Sequence, residues 1–299
     1  MLREDPIESD RSAEVPTGSA GGANRVTRVS QVGQVGRVGQ VGQVGRVSQV
    51  GPGRHRRWPT DWVGSVRPVL RSRTQSVWLG GSAYDAHVIE YLERVIQSRP
   101  DRPQVGSPDH PMRAVTRQIA FEPGGWTPER KAKVAALFDD LAGGWNERFT
   151  AEESWNPIDD AFARGSAMAG PFVEVGAGTG LATTRLAQYA GHVVAIDVAH
   201  EMLRRFTEPN GSPVRSDASA LPLADRSVGT IVAVNAFLFA DEYARVLKPD
   251  GTILWINSLA EDTPIHLPVD DVVRALPGDW TAVSSEAGWG LWATVRRRG

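Results

Sequence analysis

The nine residues Phe172-Val173-Glu174-Val175-Gly176-Ala177-Gly178-Thr179-Gly180 constrain this chain more than any other stretch. Val173 and Val175 are β-branched and apolar, as a short buried strand requires, and residues 181–187 have helix-forming composition with an apolar repeat. The order is strand, tight turn, helix. Glycines are needed where the backbone takes positive φ or where a ligand approaches with no Cβ in the way. The N-terminus of the following helix offers unpaired N–H groups to a negative group. The segment therefore predicts an α/β unit that holds a nucleotide-like ligand.

Glycine spacing separates two ligand classes. A dinucleotide fingerprint runs G-x-G-x-x-G, with its third glycine on the helix. Here the run is Gly176-x-Gly178-x-Gly180, and Leu181 stands where that third glycine would be. A nicotinamide-dependent enzyme of similar topology is thereby disfavoured. With Glu174 two residues ahead of the first glycine, the segment resembles motif I of the class I S-adenosylmethionine-dependent methyltransferases. The resemblance implies that Gly176, Ala177, Gly178 and Gly180 pack against the methionine part of S-adenosyl-L-methionine, with Glu174 near its amino group.

Later segments extend the match in order. Residues 192–197 read as a second buried strand ending in Asp197, about 20 residues beyond the glycines, where a carboxylate can accept both hydrogen bonds of a ribose diol. Val198 follows it in the cofactor site; an N-cap for a helix starting near Ala199 is a compatible use of the acid. Ser216-Asp217-Ala218-Ser219-Ala220-Leu221-Pro222 resembles the family's "DA-x-x-LP" signature. That resemblance gives Asp217 the adenine amino group and Ala218 a backbone N–H for a ring nitrogen. A fourth strand ends at Asn235, at the carboxyl end where open α/β sheets place ligands. Methyltransferases acting on base amino groups carry Asn or Asp before Pro-Pro-aromatic here, and Asn235-Ala236-Phe237 lacks both prolines, which disfavours nucleic acid as acceptor. The family's acid ahead of this strand is also missing, since the triplet is Ser227-Val228-Gly229. "ARVLKPDG" before an apolar strand resembles a late family signature, and two closing strands at residues 280–284 and 290–296 predict the antiparallel end of the sheet.

Upstream the composition changes. Residues 25–51 run in triplets of (Arg or Gln)-Val-(Gly, Ser or Thr), and a period of three lines one face of neither helix nor strand, so disorder is expected for residues 1–57. An arginine-rich segment with Trp58 and Trp62 reads as solvated linker rather than a nucleic-acid module. Residues 84–97 place Val88, Leu92, Val95 and Ile96 at helical spacing and predict one amphipathic helix within a linker of residues 58–111. Thr127-Pro128 is a good N-cap and first-turn pair for another helix, burying Val134, Leu137, Phe138 and Leu141. Residues 137–145 resemble the "FD-x-x-A-x-x-Y" stretch of quinone-biosynthesis and related small-molecule methyltransferases, with Trp145 in place of the tyrosine. In those relatives this region caps cofactor and substrate, so residues 112–165 are expected to form a helical cap.

The expected fold is α/β, a Rossmann-like doubly wound seven-stranded sheet over residues 166–299, with that cap and a disordered extension. The resemblance implies methyl transfer from S-adenosyl-L-methionine to a small-molecule acceptor; a cofactor-binding module without turnover is the competing reading. The absence of cysteine excludes thiolate zinc sites and thiol catalysis, and no metal is expected. A net charge of −2 argues against a chain built for nucleic-acid or membrane surfaces. No apolar run nears the roughly 20 residues of a span, and the start Met1-Leu2-Arg3-Glu4-Asp5 lacks a signal-peptide core, so a cytoplasmic location is expected. His266, on the loop after the fifth strand, is the candidate general base.

Overall fold

The computed structural model describes residues 88–102, 107, 109–148 and 151–299. The expectations for residues 1–57 and for the arginine-rich segment lie outside these residues. In chain order the described elements are β1 (Val88–Tyr91), α1 (Pro111–Phe121), α2 (Pro128–Leu141), α3 (Trp145–Arg148), α4 (Asn156–Arg164), β2 (Phe172–Val175), α5 (Leu181–Ala190), β3 (Val193–Asp197), α6 (His200–Leu203), β4 (Gly211–Arg215), β5 (Val228–Val234), α7 (Ala240–Val246), β6 (Leu247–Asn257), α8 (Val269–Ala275), β7 (Trp280–Ala287) and β8 (Gly290–Arg297).

The strands form one sheet in the order β1-β7-β8-β6-β5-β2-β3-β4. β8 runs against β6 and β7, and every other pairing is parallel. From β2 the chain steps outward to β3 and β4, then returns past β2 to β5 and β6 on the other side. The reversal opens a crevice at the carboxyl ends of β2 and β5, which is where open α/β sheets bind ligands.

Alternation along the central strands divides the core in two. Val173, Val175, Ile231, Ala233, Ile253 and Trp255 face a layer that includes α7 and α8. Phe172, Val232, Val234, Leu254, Ile256 and Trp292 face α4 and α5. Both faces are covered, so these strands read as continuous apolar runs instead of alternating ones. On the second face Trp292 donates its indole N–H to Asp160 at 2.7 Å, and Asp160 also accepts from Arg164 Nε at 2.7 Å, which fastens α4 to β8.

The cap follows its sequence. Thr127 Oγ1 accepts from the Arg130 amide at 3.2 Å, Pro128 opens α2, Val134 and Leu141 are buried, and Leu137 and Phe138 are half-buried. α1 and α2 pack on Phe237 and Ile265, above the carboxyl edge of the sheet. The end of α2 packs on Ala199 and Met202.

One expectation is corrected. The seven strands expected over residues 166–299 are β2 to β8, and an eighth, β1, lies where residues 84–97 predict an amphipathic helix; residues 84–87 are outside the described set. Val88 and Val95, required on the buried face of that helix, are 49% and 59% exposed, while Ile89, Leu92 and Ile96 turn toward the core. The apolar spacing fits both periods here. The open edge of β7 decides it, because β1 satisfies its backbone groups in a parallel ladder continued by Leu92 N–H to the Ser284 carbonyl at 2.8 Å. The turn expected at residues 248–251 persists inside β6 as a bulge: between the pairs Val228–Leu247 and Thr230–Thr252, β5 advances two residues and β6 five.

Candidate cofactor crevice

The turn after β2 carries Gly176, Gly178 and Gly180 at φ of +71°, +58° and +86°. Two of them are needed for different reasons. A Cβ on Gly180 would sit 2.6 Å from the Phe206 ring, so that glycine is required by packing. A Cβ on buried Gly178 would rest in ordinary contact with Trp145 Nε1 at 3.8 Å and Met202 Sδ at 3.9 Å, so its positive φ, not lack of space, is what favours glycine there. Thr179 donates its hydroxyl to Asn146 Oδ1 at 2.6 Å, which ties the turn to α3.

Asp197 joins this turn to the next one. Its Oδ2 accepts from the Gly178 amide at 2.8 Å and its Oδ1 from the Ala199 amide at 2.7 Å. Burial raises its pKa, and the opposing amides of Ala199, Gly178 and Val198 restrain the rise. Val198 is half-buried and packs with the cap cluster. The N-cap use of the acid is not realised, since Ala199 is the N-cap of α6 and the Glu201 amide donates to Asp139 Oδ1 at 2.7 Å; the Ala199 bond closes a local turn ahead of that helix, and the same carboxylate also shapes the glycine turn.

Glu174 lies beneath the turn, 1% exposed, and accepts from Thr183 Oγ1 on α5. Burial pushes its carboxyl up to about 8. Ala177 is buried in the turn, and its amide, with that of Gly176, donates to the Ile196 carbonyl at 3.0 and 2.8 Å.

Asp217 lies on the loop after β4 and is crowded with donors: Ser219 amide (2.9 Å) and hydroxyl (2.8 Å), Trp126 Nε1 (3.0 Å) and Lys131 Nζ (3.2 Å). Burial works against ionisation, but these donors outweigh it and hold the carboxyl below the usual range. Ala218 is half-buried against the main core. Asn235, at φ +50°, donates Nδ2–H to Ser258 Oγ at 2.8 Å and accepts the Ser258 amide on Oδ1 at 2.9 Å, which locks the ends of β5 and β6 together.

The structure thus gathers Gly176, Ala177, Gly178, Gly180, Asp197, Val198, Asp217 and Asn235 along the carboxyl edges of β2 to β5, with Glu174 under them. His266 stands apart. It lies on the loop after β6, 6% exposed instead of solvated, with Nδ1 3.0 Å from Asn257 Oδ1. Sequence reasoning missed Trp126, whose ring lies 5.8 Å from Phe237 and 5.3 Å from Phe239 and whose N–H reaches Asp217. The available signal was its place just before the Thr127 N-cap, where an apolar residue often staples the helix. Among the described residues no cluster of three or more His, Cys, Asp or Glu could hold a metal, and no helix is long and apolar enough to cross a membrane.

Residues 173–255 match the family described as "Methyltransferase domain". Those residues read as a methyltransferase domain. The cofactor is S-adenosyl-L-methionine, and the crevice offers that ligand a positive-φ glycine turn and carboxylates at the edges of β3 and β4. A Micromonospora griseorubida protein provisionally named a 23S rRNA (guanine-N(1)-)-methyltransferase is 33% identical over 138 residues, covering 38% of this chain and 47% of the relative. An uncharacterized methyltransferase of Mycobacterium tuberculosis is 37% identical over 89 residues, covering 27% and 37%. The chain thus spans less than half the length of these relatives. Among solved structures, a Haemonchus contortus phosphoethanolamine N-methyltransferase bound to phosphoethanolamine and S-adenosylhomocysteine is 19% identical, covers 58% of this chain and 51% of its own, and superposes with a TM-score of 0.43.

Proposed function

We propose that the chain is an enzyme transferring the methyl group of S-adenosyl-L-methionine to a small-molecule acceptor held under the α1–α3 cap. The observation that carries this reading is the linkage of Asp197 to Gly178, which joins a carboxylate to a positive-φ glycine turn beside the topological switch point. The sulfonium of the bound cofactor supplies an already activated methyl group. The chain's residues then have to position and enclose. The glycine turn and Glu174 would seat the methionine part, Asp197 and Val198 the ribose, Asp217 and Ala218 the adenine, with Asn235 holding the β5 and β6 ends that border the methyl. Trp126, Phe138 and Trp145 would exclude water and keep the acceptor aligned, which is where rate enhancement comes from in an in-line displacement. A base is needed only for an acceptor that must lose a proton. His266, held near pKa 4 by burial and by Arg113, would stay neutral and able to accept one.

The named activity of the Micromonospora relative supports an RNA acceptor as the second reading. Calorimetric titration with S-adenosylhomocysteine, then turnover on small-molecule and RNA panels, tests both. Binding with small-molecule turnover is expected; binding without turnover on either panel would leave a cofactor-binding module, and turnover on RNA alone would replace the acceptor class.

A further inference from the structure

Beside the cofactor crevice, around the carboxyl end of β6, two side chains carry polar atoms that the fold leaves unused. Arg113 projects from α1 with Nε and Nη2 buried and without a hydrogen-bond partner among the described residues. Asn257, the last residue of β6, is fully buried, and its Nδ2 likewise has no partner. Its Oδ1 lies against His266 Nδ1 at 3.0 Å. Turning the amide over would exchange an unpartnered N–H for an unpartnered carbonyl, so Asn257 keeps one idle polar atom in either orientation. Buried polar groups are rarely left so in native proteins.

Three of the acids nearby are already committed, and a fourth, Glu261, is exposed on a cavity it shares with His266. Asp271 accepts from Arg117 and Arg274, Asp262 pairs with Arg102 at 3.0 Å, and Asp270 accepts from the Tyr91 hydroxyl at 2.7 Å. Burial and the Arg113 charge together hold the imidazoles of His266 and His110 below the usual range, which disfavours a second positive charge beside the guanidinium. The cluster therefore holds one guanidinium with two idle donors, one idle amide atom and a neutral imidazole.

Its place in the fold ties it to the crevice. α1 rests through Met112, Val115 and Ile119 on Phe237, two residues beyond Asn235, and Asn235 grips Ser258, the neighbour of Asn257. Gly176 touches Ala236 across the same edge, where an added Cβ would lie 3.1 Å from the alanine methyl. The cluster is thus one strand beyond the switch point, on the side away from Asp197 and Asp217, where an acceptor would lie if those acids hold ribose and adenine.

We propose that Arg113, Asn257 and His266 anchor the methyl acceptor by a carboxylate, so that the substrate class is small carboxylic acids. This rests on the methyl-transfer reading above. The two idle guanidinium nitrogens, Nε and Nη2, form the side-on fork that accepts a planar carboxylate through two parallel hydrogen bonds. With Oδ1 facing His266, Asn257 Nδ2 supplies a third donor, and His266 orients that amide.

The test is calorimetry on the full chain saturated with S-adenosylhomocysteine, using benzoate and butyrate as carboxylate probes and benzamide as the neutral control. Benzoate or butyrate is expected to bind, with benzamide about 10-fold or more weaker, as loss of a charge-assisted pair dictates. Arg113→Met should weaken the carboxylate by roughly 10- to 100-fold with cofactor-product affinity unchanged, and Arg113→Lys should recover part, because an ammonium cannot make the fork. By nuclear magnetic resonance, the His266 ring should titrate at higher pH in Arg113→Met, and in wild type when benzoate is bound. Asn257→Ser serves as a second variant should Arg113→Met unfold, and it too should weaken benzoate. Equal binding of benzoate and benzamide, no binding of either carboxylate in the millimolar range, or wild-type carboxylate affinity in Arg113→Met would overturn the proposal. So would an RNA oligonucleotide that binds in an Arg113-dependent way while the carboxylates do not. Failure of wild type to bind S-adenosylhomocysteine would instead overturn the underlying methyl-transfer reading.

Discussion

The indole N–H of Trp126 lies 3.0 and 3.2 Å from the two carboxylate oxygens of Asp217, so the residue leading into α2 is fastened to the loop after β4. Cap and crevice therefore share one carboxylate. Trp126→Phe keeps a ring against Phe237 and Phe239 but removes the donor, and a hydrogen bond to a charged acceptor contributes about 1.5–3 kcal/mol. Urea unfolding at pH 7 should show a loss of that order. The sign with pH follows from the lowered pKa of Asp217. A carboxyl with a depressed folded pKa contributes stability that is present above its unfolded value, about 3.9, and is lost as pH falls through the folded one. The wild-type advantage should thus hold at pH 5 to 7 and shrink below about 4. An advantage independent of pH would mean that ring packing, not the Asp217 bond, carries the effect.

Asp197 is bound to change both affinity and stability. Two charge-assisted bonds to a ribose diol at the upper range correspond to roughly a tenfold to several-hundredfold loss of S-adenosylhomocysteine affinity in Asp197→Ala. The same substitution also orphans the Gly178 and Ala199 amides. The ligand-free protein should therefore lose about 2–6 kcal/mol, since each of the two unpaired donors costs about 1–3. Asp197→Asn should fall between, keeping one acceptor and losing the charge. Calorimetry and thermal melting on the same samples separate the two effects; unchanged affinity with lowered stability would confine Asp197 to shaping the turn.

Local signals were readable where chemistry is local. The Thr127–Pro128 start of α2, the β2 turn and the acid ending β3 each announce themselves within a few residues, because capping, positive φ and strand termination are properties of short segments. What stayed hidden depends on distant partners. Nothing near Trp126 points to Asp217, nothing near Asn235 points to Ser258, and residues 88–97 fit a helix until the open edge of β7 is known. His266 shows the same limit, since an isolated loop histidine reads as exposed and only the packing of α1 and the β6 end buries it.

Glu174 reverses the pH logic of Asp217. Its folded pKa, about 8, lies above the model-peptide value of 4.5. Such a group contributes stability fully present below its unfolded pKa and lost as pH rises through the folded one. Wild type should therefore lose stability between about pH 5 and 8, by up to a few kcal/mol from this residue. Glu174→Gln, a neutral acceptor for Thr183, should flatten that slope and be the more stable form at pH 8. Urea unfolding at pH 5, 6.5 and 8 decides it, and parallel wild-type and variant curves would show that Glu174 is ionised in the folded state.

Last, β1 places the stability boundary inside the linker of residues 58–111 expected from the sequence. A chain beginning at Met112 loses the parallel ladder from Val88 to Tyr91, the 2.7 Å bond from Thr281 Oγ1 to the Val88 carbonyl and the 3.0 Å bond from Gly288 N–H to the Ile96 carbonyl. It also loses Leu92 and Ile96 from the α4–α5 side of the core, and the His110 ring that accepts the Met112 amide at the start of α1. Partial burial of two aliphatic side chains and several net hydrogen bonds together amount to about 3–6 kcal/mol. At about 2–4 °C per kcal/mol for a domain of this size, the melting midpoint should fall by roughly 6–24 °C. The uncovered edge of β7 presents unpaired N–H and C=O groups to other molecules, so the shortened chain should also self-associate in sedimentation velocity. A chain beginning at Tyr84 keeps β1 and should melt and sediment like the full-length protein. Equal midpoints for the two shortened chains would show that β1 adds nothing to the sheet's stability and would return the boundary to Met112.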